Sequence, residues 1–184
     1  MEYELELTNM IKSDPYLMSI LKTVQKLQLN DCWVAAGVIR NKVWDSFHHI
    51  QTEINDIDVI YFDALDCSIE SEKALEAKLQ KMMPHQPWSV KNQARMHIKN
   101  KISPYTSSFD GVAHFPETPT AIAVRLNHKN LEIVAPYGLH DLFEGQVRPT
   151  PPFNQDSKLH TIYLDRIHSK NWGSVWDKLK FEQG

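Results

Sequence analysis

Two aspartates spaced one residue apart are the first candidates for chemistry in this sequence. Asp56 and Asp58 lie at the start of the apolar run NDIDVIYFD, residues 55–63. In a β-strand alternate side chains share a face with their Cα atoms about 7 Å apart, so both carboxylates project together, away from Ile57 and Val59. Such a pair suits Mg²⁺, which binds one or two carboxylates and the phosphates of a substrate. The alternative is that Asp56 ends a loop and Asp58 is a solvated edge residue.

A strand, a glycine and a helix precede the aspartate pair. The stretch CWVAAGVIRNKVWD, residues 32–45, begins as a buried strand, and Gly37 can adopt the backbone angles of a tight turn into a helix. The free N–H groups at a helix N-terminus bind phosphate. Arg40 lies in the first turn, where a cation is unfavourable to the helix dipole but useful against a triphosphate. The segment therefore predicts a phosphate-binding turn.

A third carboxylate has two candidates. Glu132 lies between Leu131 and Ile133 in the strand-like segment LEIVAP, where it interrupts an apolar pattern. Glu117, in the segment PETPT, competes for the same role. The residues alone leave both open.

A basic run follows at residues 90–101, VKNQARMHIKNK, and it contains no acidic residue. Lys91 and Arg95 lie within it. In a slightly acidic chain such a run is suited to closing over a triphosphate or holding an accepting substrate. The alternative is a solvated basic face.

The elements that must position these residues follow from hydrophobic periodicity. A helix over 14–29 is capped by Asp14, and the strand before Gly37 is followed by a helix with apolar positions from Val38 to Phe47. The remaining predictions are a strand over 57–62, a helix over 68–83, a hairpin of 120–126 with 131–136, and helical structure over 155–180.

Length, composition and charge limit the classes of protein to which this chain can belong. The chain has 184 residues, 42% of them hydrophobic, which predicts a single domain over 1–184 with a core at 14–150 and a C-terminal extension at 155–180. The net charge of −3 argues against a protein that neutralises many phosphates of long nucleic acid. Cys32 and Cys67 are interpreted as buried thiols, and we expect a cytoplasmic protein without membrane or secretion segments.

The order of these motifs resembles the nucleotidyltransferase superfamily of DNA polymerase beta and the tRNA CCA-adding enzymes. In the CCA-adding group the turn reads Gly-Gly-x-x-Arg-Asp, and here Ala36, Gly37, Arg40 and Asn41 stand in those places. DIDVIYF resembles the strand with Asp-x-Asp, and LEIVAP resembles the strand that carries a third acid. Residues 30 to about 150 look closer still to a bacterial family of nucleotidyltransferase-like proteins.

The resemblance implies an α/β (α+β) fold: a small mixed β-sheet with helices packed mainly on one face. It implies transfer of a nucleoside monophosphate from a nucleoside triphosphate, with Mg²⁺ or Mn²⁺ as cofactor and release of pyrophosphate. The expected acceptor is a small molecule or protein rather than long nucleic acid. The implied catalytic metal ligands are Asp56, Asp58 and Glu132, and the expected nucleotide-binding residues are Ala36, Gly37, Arg40, Lys91 and Arg95.

Two further functions fit the same residues. Because Ala36 replaces a glycine in the turn, the chain can also be read as a nucleotide-binding regulatory module that lacks turnover. The other alternative is a metal-dependent hydrolase in which water is the acceptor.

Overall fold

The computed structural model describes residues 2–182. The helices are α1 (Glu2–Lys12), α2 (Pro15–Gln25), α3 (Gly37–His48), α4 (Ile69–Met82), α5 (Gln93–Asn100), α6 (Ser108–Ala113), α7 (His140–Phe143) and α8 (His160–Lys170). The strands are β1 (Trp33–Ala35), β2 (Ile57–Tyr61), β3 (Trp88–Asn92), β4 (Ala123–Asn127), β5 (Asn130–Val134), β6 (Gln146–Val147) and β7 (Lys180–Phe181). None of the helices between residues 2 and 182 combines the length and apolar character needed to cross a bilayer.

Five strands form one mixed sheet in the order β3-β2-β1-β4-β5. Within this five-stranded sheet only β2 and β3 pair in parallel, because α4 carries the chain back across the sheet between them. The predicted hairpin is formed by β4 and β5, and His128 takes a left-handed φ of 54° in its two-residue turn. The mixed sheet confirms the predicted fold class.

The two faces of this sheet differ in how they are covered. The main core lies on one face, where Val34, Val59 and Val124 pack beneath α2, α3 and their neighbours. The other face carries a much smaller cluster around Trp33 and Ile60, joined by Val112 of α6. The helices therefore pack mainly on one face, and the opposite face stays partly open above the centre of the sheet.

Local signals explain several element boundaries. Asp14 caps α2 as predicted, accepting hydrogen bonds from the N–H groups of Tyr16 and Leu17 at 2.9 and 3.0 Å. Ser68 caps α4 by accepting from the N–H of Ser71. A C-terminal residue in the left-handed conformation ends α3 at His49.

The C-terminal segment departs from its prediction. Helical structure over 155–180 is correct only for α8, which ends at Asn171 with a φ of 46°. Beyond it, Trp172 and Trp176 fill the main core from a 3₁₀ turn and a loop, and β7 then pairs with β6. Trp172, Trp176 and Leu179 are spaced four and three residues apart, so they matched a helical period although they lie outside any α-helix.

Several other elements were not predicted. The α1 helix precedes the predicted first helix, and α6 follows the basic run. The basic run itself divides into β3 and α5, because Asn92 ends the strand and caps the helix by accepting from the N–H of Ala94. Only Trp88 and Val90 of its five residues are apolar, so the strand is not evident from the sequence.

The two cysteines have different environments. Cys32 is buried before β1, and burial raises the pKa of its thiol to about 12. Cys67 is exposed in the loop after β2, so the prediction that it is buried is wrong. Its neighbour Asp66 turns that loop outward by accepting hydrogen bonds from Ser68 and Ser71.

Candidate active site

Asp58 is the second residue of β2 and faces the thinly covered side of the sheet. Its neighbours Ile57 and Val59 are fully buried on the other side, as strand alternation requires. Asp56 directly precedes the strand and is exposed. Its negative charge acts on Asp58, so the structure brings the two carboxylates within electrostatic range of each other.

The electrostatics of the pair favour a cation. Burial and the charge of Asp56 raise the pKa of Asp58 to about 6, and burial raises the pKa of Asp56 as well. The positive charges of Lys91, Arg166 and Arg40 lower the pKa of Asp58, but they do not overcome the effects that raise it. Across residues 2–182, no side-chain nitrogen of Lys, Arg or His lies within 4.0 Å of either carboxylate. The pair therefore holds negative charge without a direct counter-ion.

A cleft of about 450 Å³ opens beside Asp58. Ala36, Thr120, Lys91 and Arg166 line it around the carboxylate. Its volume falls within the range of about 300 to 1,000 Å³ that is typical of small-molecule sites. With Lys99, which also lines it, the cleft combines a carboxylate, three cations and the residue that precedes α3.

The turn between β1 and α3 has its unusual backbone angles at Ala36. Ala36 has φ of 57° and ψ of −120°, whereas Gly37 does not require a positive φ. The prediction that Gly37 supplies the special angles is therefore wrong by one residue. The carbonyl of Ala36 accepts from the N–H groups of Ile39 and Arg40, at 3.1 and 3.0 Å. In the described chain this leaves the N–H groups of Gly37 and Val38 without a backbone acceptor, as expected at a helix start.

Arg40 lies behind the cleft wall instead of facing a ligand. Its guanidinium is 4.8 Å from the ring centroid of Trp44 and 4.4 Å from that of Trp172. It donates to Thr120 Oγ1 at 2.9 Å and to Asn41 Oδ1 at 2.8 Å. Burial lowers the pKa of Arg40 to about 10. The structure thus gives Arg40 a packing environment where the sequence predicts a phosphate contact.

Lys91 and Arg95, the two cations of the basic run, have separate environments. Lys91 lines the cleft and lies 3.8 Å from Glu76 and 4.0 Å from Glu72. Arg95 does not line the cleft, and its guanidinium forms a bidentate ion pair with Glu72, with N–O distances of 2.8 and 2.6 Å. Glu72 is itself buried and also accepts from the N–H of Asn92. The structure therefore brings Lys91, but not Arg95, to the aspartates.

Glu132 lies on the same face as Asp58 but far along the sheet. From β2 to β5 the sheet crosses β1 and β4, which is about 14 Å at the usual strand spacing. Glu132 accepts from Arg125 Nε and from Asn127 Nδ2, each at 2.6 Å, and these hydrogen bonds lower its pKa. The structure does not bring Glu132 to the aspartate pair, and its oxygens are already occupied.

Glu117, the other candidate for a third acid, is fully buried and holds an arginine. Its Oε1 accepts from Arg166 Nε at 2.6 Å, and its Oε2 accepts from Nη2 at 3.4 Å. Arg166 extends from α8 to the wall of the cleft, where its charge reaches Asp58. Within residues 2–182, no group of three or more His, Cys, Asp or Glu side chains is arranged to hold a metal ion. A metal at Asp56 and Asp58 would take its remaining ligands from water and substrate.

Arg166 is the site residue that sequence reasoning missed. It occupies a position of the apolar stripe of α8, since it follows Ile162 by four residues and Tyr163 by three. A charged residue at such a position has its side chain directed toward the rest of the protein. That interruption of the stripe is the signal that was available in the sequence.

Comparisons with known proteins identify relatives of this chain. A family model described as nucleotidyltransferase matches residues 22–181. The chain is similar, at 38% identity and a TM-score of 0.84, to a protein whose NMR structure is described as revealing a CCA-adding enzyme head domain; the match covers 98% of this chain and 96% of that one. Among curated protein sequences, none matches the chain.

Longer enzymes share the fold at lower identity. A CCA-adding enzyme in complex with ATP matches at 18% identity and a TM-score of 0.54, over 96% of this chain and 42% of that one. The Bacillus stearothermophilus CCA-adding enzyme in complex with CTP matches at 13% identity and a TM-score of 0.53, over 83% of this chain and 38% of that one. The chain spans less than half the length of these two enzymes.

Proposed function

Because this chain belongs to the nucleotidyltransferase family whose model spans residues 22–181, we propose that it transfers a nucleoside monophosphate from a nucleoside triphosphate to an acceptor, releasing pyrophosphate. The observation that carries the proposal is the position of Asp58. Its carboxylate borders the cleft beside Asp56, without a direct counter-ion, and next to the start of α3. Nucleotidyl transfer needs such an arrangement, since catalysis of this kind is mainly positioning and charge neutralisation.

The residues fit a divalent cation such as Mg²⁺ or Mn²⁺. Asp56 and Asp58 would hold it, because two uncompensated carboxylates on one face supply hard oxygen ligands. When bound, the metal neutralises phosphate charge and lowers the pKa of the acceptor oxygen. Glu132 is left out of this ligand set because its oxygens are bonded to Arg125 and Asn127.

The triphosphate would be held by groups on two sides of the cleft. On one side the N–H groups of Gly37 and Val38 are free at the start of α3. On the other side Lys91 and Arg166 supply positive charge, and Glu117 fixes the orientation of Arg166. These groups would bind the leaving pyrophosphate as its charge develops. Arg40 and Arg95 support this arrangement from behind, through contacts with the protein.

The acceptor is proposed to be a small molecule or a protein. The net charge of −3 supports this choice, because binding of long nucleic acid draws on many basic residues. The longer enzymes with the same fold contain at least as much chain again as this protein provides.

A second candidate is a nucleotide-binding module without turnover. The specific observation in its favour is that the described chain offers the pair Asp56 and Asp58 but no group of three His, Cys, Asp or Glu side chains that could hold a metal ion. Ala36, which has a positive φ where the related turn has a glycine, also fits a site that binds nucleotide without turnover.

Thermal melting followed by a transfer assay separates these functions. We expect Mg²⁺ alone to change the melting temperature very little, and Mg²⁺ with a nonhydrolysable NTP to raise it by about 5 to 10 °C near 100 times Kd. An equal rise with metal alone would contradict the paired-ligand site. NTP labelled at the α-phosphate is then incubated with separate small-molecule, protein and RNA fractions, with Asp58→Asn as the control.

Each function leaves a different product in that assay. Transfer gives labelled acceptor and pyrophosphate, and it must disappear in Asp58→Asn. Hydrolysis gives free labelled nucleotide without an acceptor. Stabilisation by nucleotide without any product identifies the binding module.

A further inference from the structure

The cleft beside Asp58 continues past the carboxylate to an aromatic end. The residues that line this end include Met96, Tyr105, His114 and Phe115. They come from α5, from the connection to α6 and from the residues that follow α6. The same cleft therefore holds the Asp58 carboxylate and a group of aromatic side chains, and Lys99 and Asn100 of α5 also line it.

The side chains at the aromatic end pack against one another. The ring centroids of Tyr105 and His114 lie 4.7 Å apart with their planes at 31°, and His97 packs edge-on against Tyr105 at 6.3 Å. His114 Nδ1 lies 2.8 Å from the carbonyl of Asp110, which fixes the ring from the other side. The His114 side chain keeps 27% exposure, so its ring can be covered by a ligand. A preformed flat surface of this kind binds planar groups with little loss of entropy.

A buried amide faces the same end of the cleft. Gln93, the first residue of α5, lines the cleft although it is only 3% exposed. Its Nε2 lies 3.5 Å from the carbonyl of Lys91, and its Oε1 lies where a Cβ added to Gly111 would approach within 2.4 Å. Glycine at 111 therefore leaves the room that the amide occupies. A fixed carboxamide offers a donor and an acceptor to the edge of a polar ring.

We propose that the aromatic end of the cleft binds the base of the donor nucleotide, which stacks on His114 and is recognised along its edge by Gln93. The inference rests on the proposed function, because it takes the phosphates to lie at Asp58. The donor's base is favoured over the acceptor because the two ends belong to one cleft, whose size suits one small molecule. Planar bases stack on aromatic side chains regardless of sequence, whereas an amide discriminates among their edges.

The test compares nucleotides with a ligand that has phosphates but no base. Binding of ATP, CTP, GTP and UTP, and of inorganic tripolyphosphate, is measured by calorimetry with Mg²⁺ for the wild type and for His114→Ala. Loss of one stacking partner is expected to weaken NTP binding about tenfold and to change tripolyphosphate binding less than about twofold. The matched control is Phe109→Ala, an exposed aromatic of α6 that does not line the cleft. Its affinity for NTP should equal that of the wild type.

A second variant tests the amide without removing its volume. We expect the wild type to discriminate about fivefold or more among the four bases, and Gln93→Leu to reduce that ratio to less than about twofold. Unchanged NTP affinity in His114→Ala, as would follow if the acceptor occupied this end, overturns the proposal. Equal wild-type affinity for all NTPs and tripolyphosphate overturns it while leaving the transferase function standing. Binding of neither ligand class by the wild type overturns both.

Discussion

Arg166 of α8 donates from its Nε to Oε1 of the fully buried Glu117 at 2.6 Å. The pair joins the C-terminal part of the chain to the segment before β4, and it lies beside the cleft that Asp58 borders. The buried carboxylate of Glu117 therefore holds the guanidinium of Arg166 in position beside the cleft. The cation itself remains 35% exposed and available to an anionic ligand.

Replacing Arg166 by glutamine should affect both binding and stability. Loss of a charge-assisted contact is expected to weaken tripolyphosphate binding about tenfold, as measured by calorimetry. Glu117 would then be buried without its partner, so the free energy of unfolding should fall by about 2 to 3 kcal/mol. Arg148→Gln is the control, because Arg148 is 47% exposed and its ion pair with Asp141 spans 3.7 Å.

The double variant Glu117→Gln with Arg166→Gln distinguishes the two effects. Removing both charges should restore most of the stability, as measured by urea unfolding, but none of the phosphate affinity. If phosphate affinity returned together with stability, Arg166 would be a structural residue only.

Arg40→Ala should destabilise the protein more than it weakens phosphate binding. The guanidinium packs against both Trp44 and Trp172 and donates to Thr120, so its removal should lower the free energy of unfolding by about 3 kcal/mol. Arg125→Ala is the matched control, since Arg125 lies over Trp33 at 4.1 Å but is 32% exposed. A fully stable Arg40→Ala protein with lost triphosphate affinity would support the role that the sequence predicts for Arg40.

Ala36→Gly should stabilise the turn that precedes α3. With φ of 57° and ψ of −120°, Ala36 adopts a conformation that disfavours a side chain, and glycine should gain about 1 kcal/mol in urea unfolding. Gly37→Ala is the companion variant, because an added Cβ would meet only Arg40 Nη2 at 3.8 Å. Its stability should change by less than about 0.5 kcal/mol. The reverse order of the two effects would place the special backbone angles at Gly37.

Local patterns in the sequence were sufficient for the fold and for the aspartate pair. Alternation placed Ile57 and Val59 in the core and Asp58 on the opposite face, and the cap at Asp14 marked the start of α2. Each of these features depends on residues within a few positions of one another. The mixed sheet was implied by the resemblance to the nucleotidyltransferase superfamily, and the structure confirms it.

The environments of the arginines could not be predicted in the same way. Arg40 and Arg166 both interrupt apolar helical stripes, but Arg40 packs against two indole rings and Arg166 pairs with an acid at the cleft. The difference comes from Trp172 and Glu117, which are distant in sequence and become neighbours only in the folded chain. Likewise, the separation of Glu132 from Asp58 depends on the order of strands in the sheet and not on the motif.

Asp58→Asn tests the central residue of the site. We expect its effect on the free energy of unfolding to depend on pH. The pKa of Asp58 rises from 3.8 to about 6 on folding, so the folded protein binds more protons than the unfolded chain between these values. Without metal, ionisation of Asp58 must therefore lower the free energy of unfolding of the wild type as pH rises from about 4 to about 6. Above about pH 6 the whole of this destabilisation is present. The difference between 3.8 and about 6 corresponds to at most about 3 kcal/mol.

Asparagine keeps the shape of the side chain and removes this cost. In EDTA, Asp58→Asn should match the wild type near pH 4 and exceed it by about 2 kcal/mol at pH 7, measured by urea unfolding at both pH values. Glu53→Gln, an exposed acid before β2, should show no such divergence. Stabilisation by Mg²⁺ with NTP should be lost in Asp58→Asn, because a neutral amide is a poor ligand for a hard cation. A variant that is less stable than the wild type at pH 7 would show that Asp58 is a structural hydrogen-bond acceptor in β2, and the proposed site would lose its central residue.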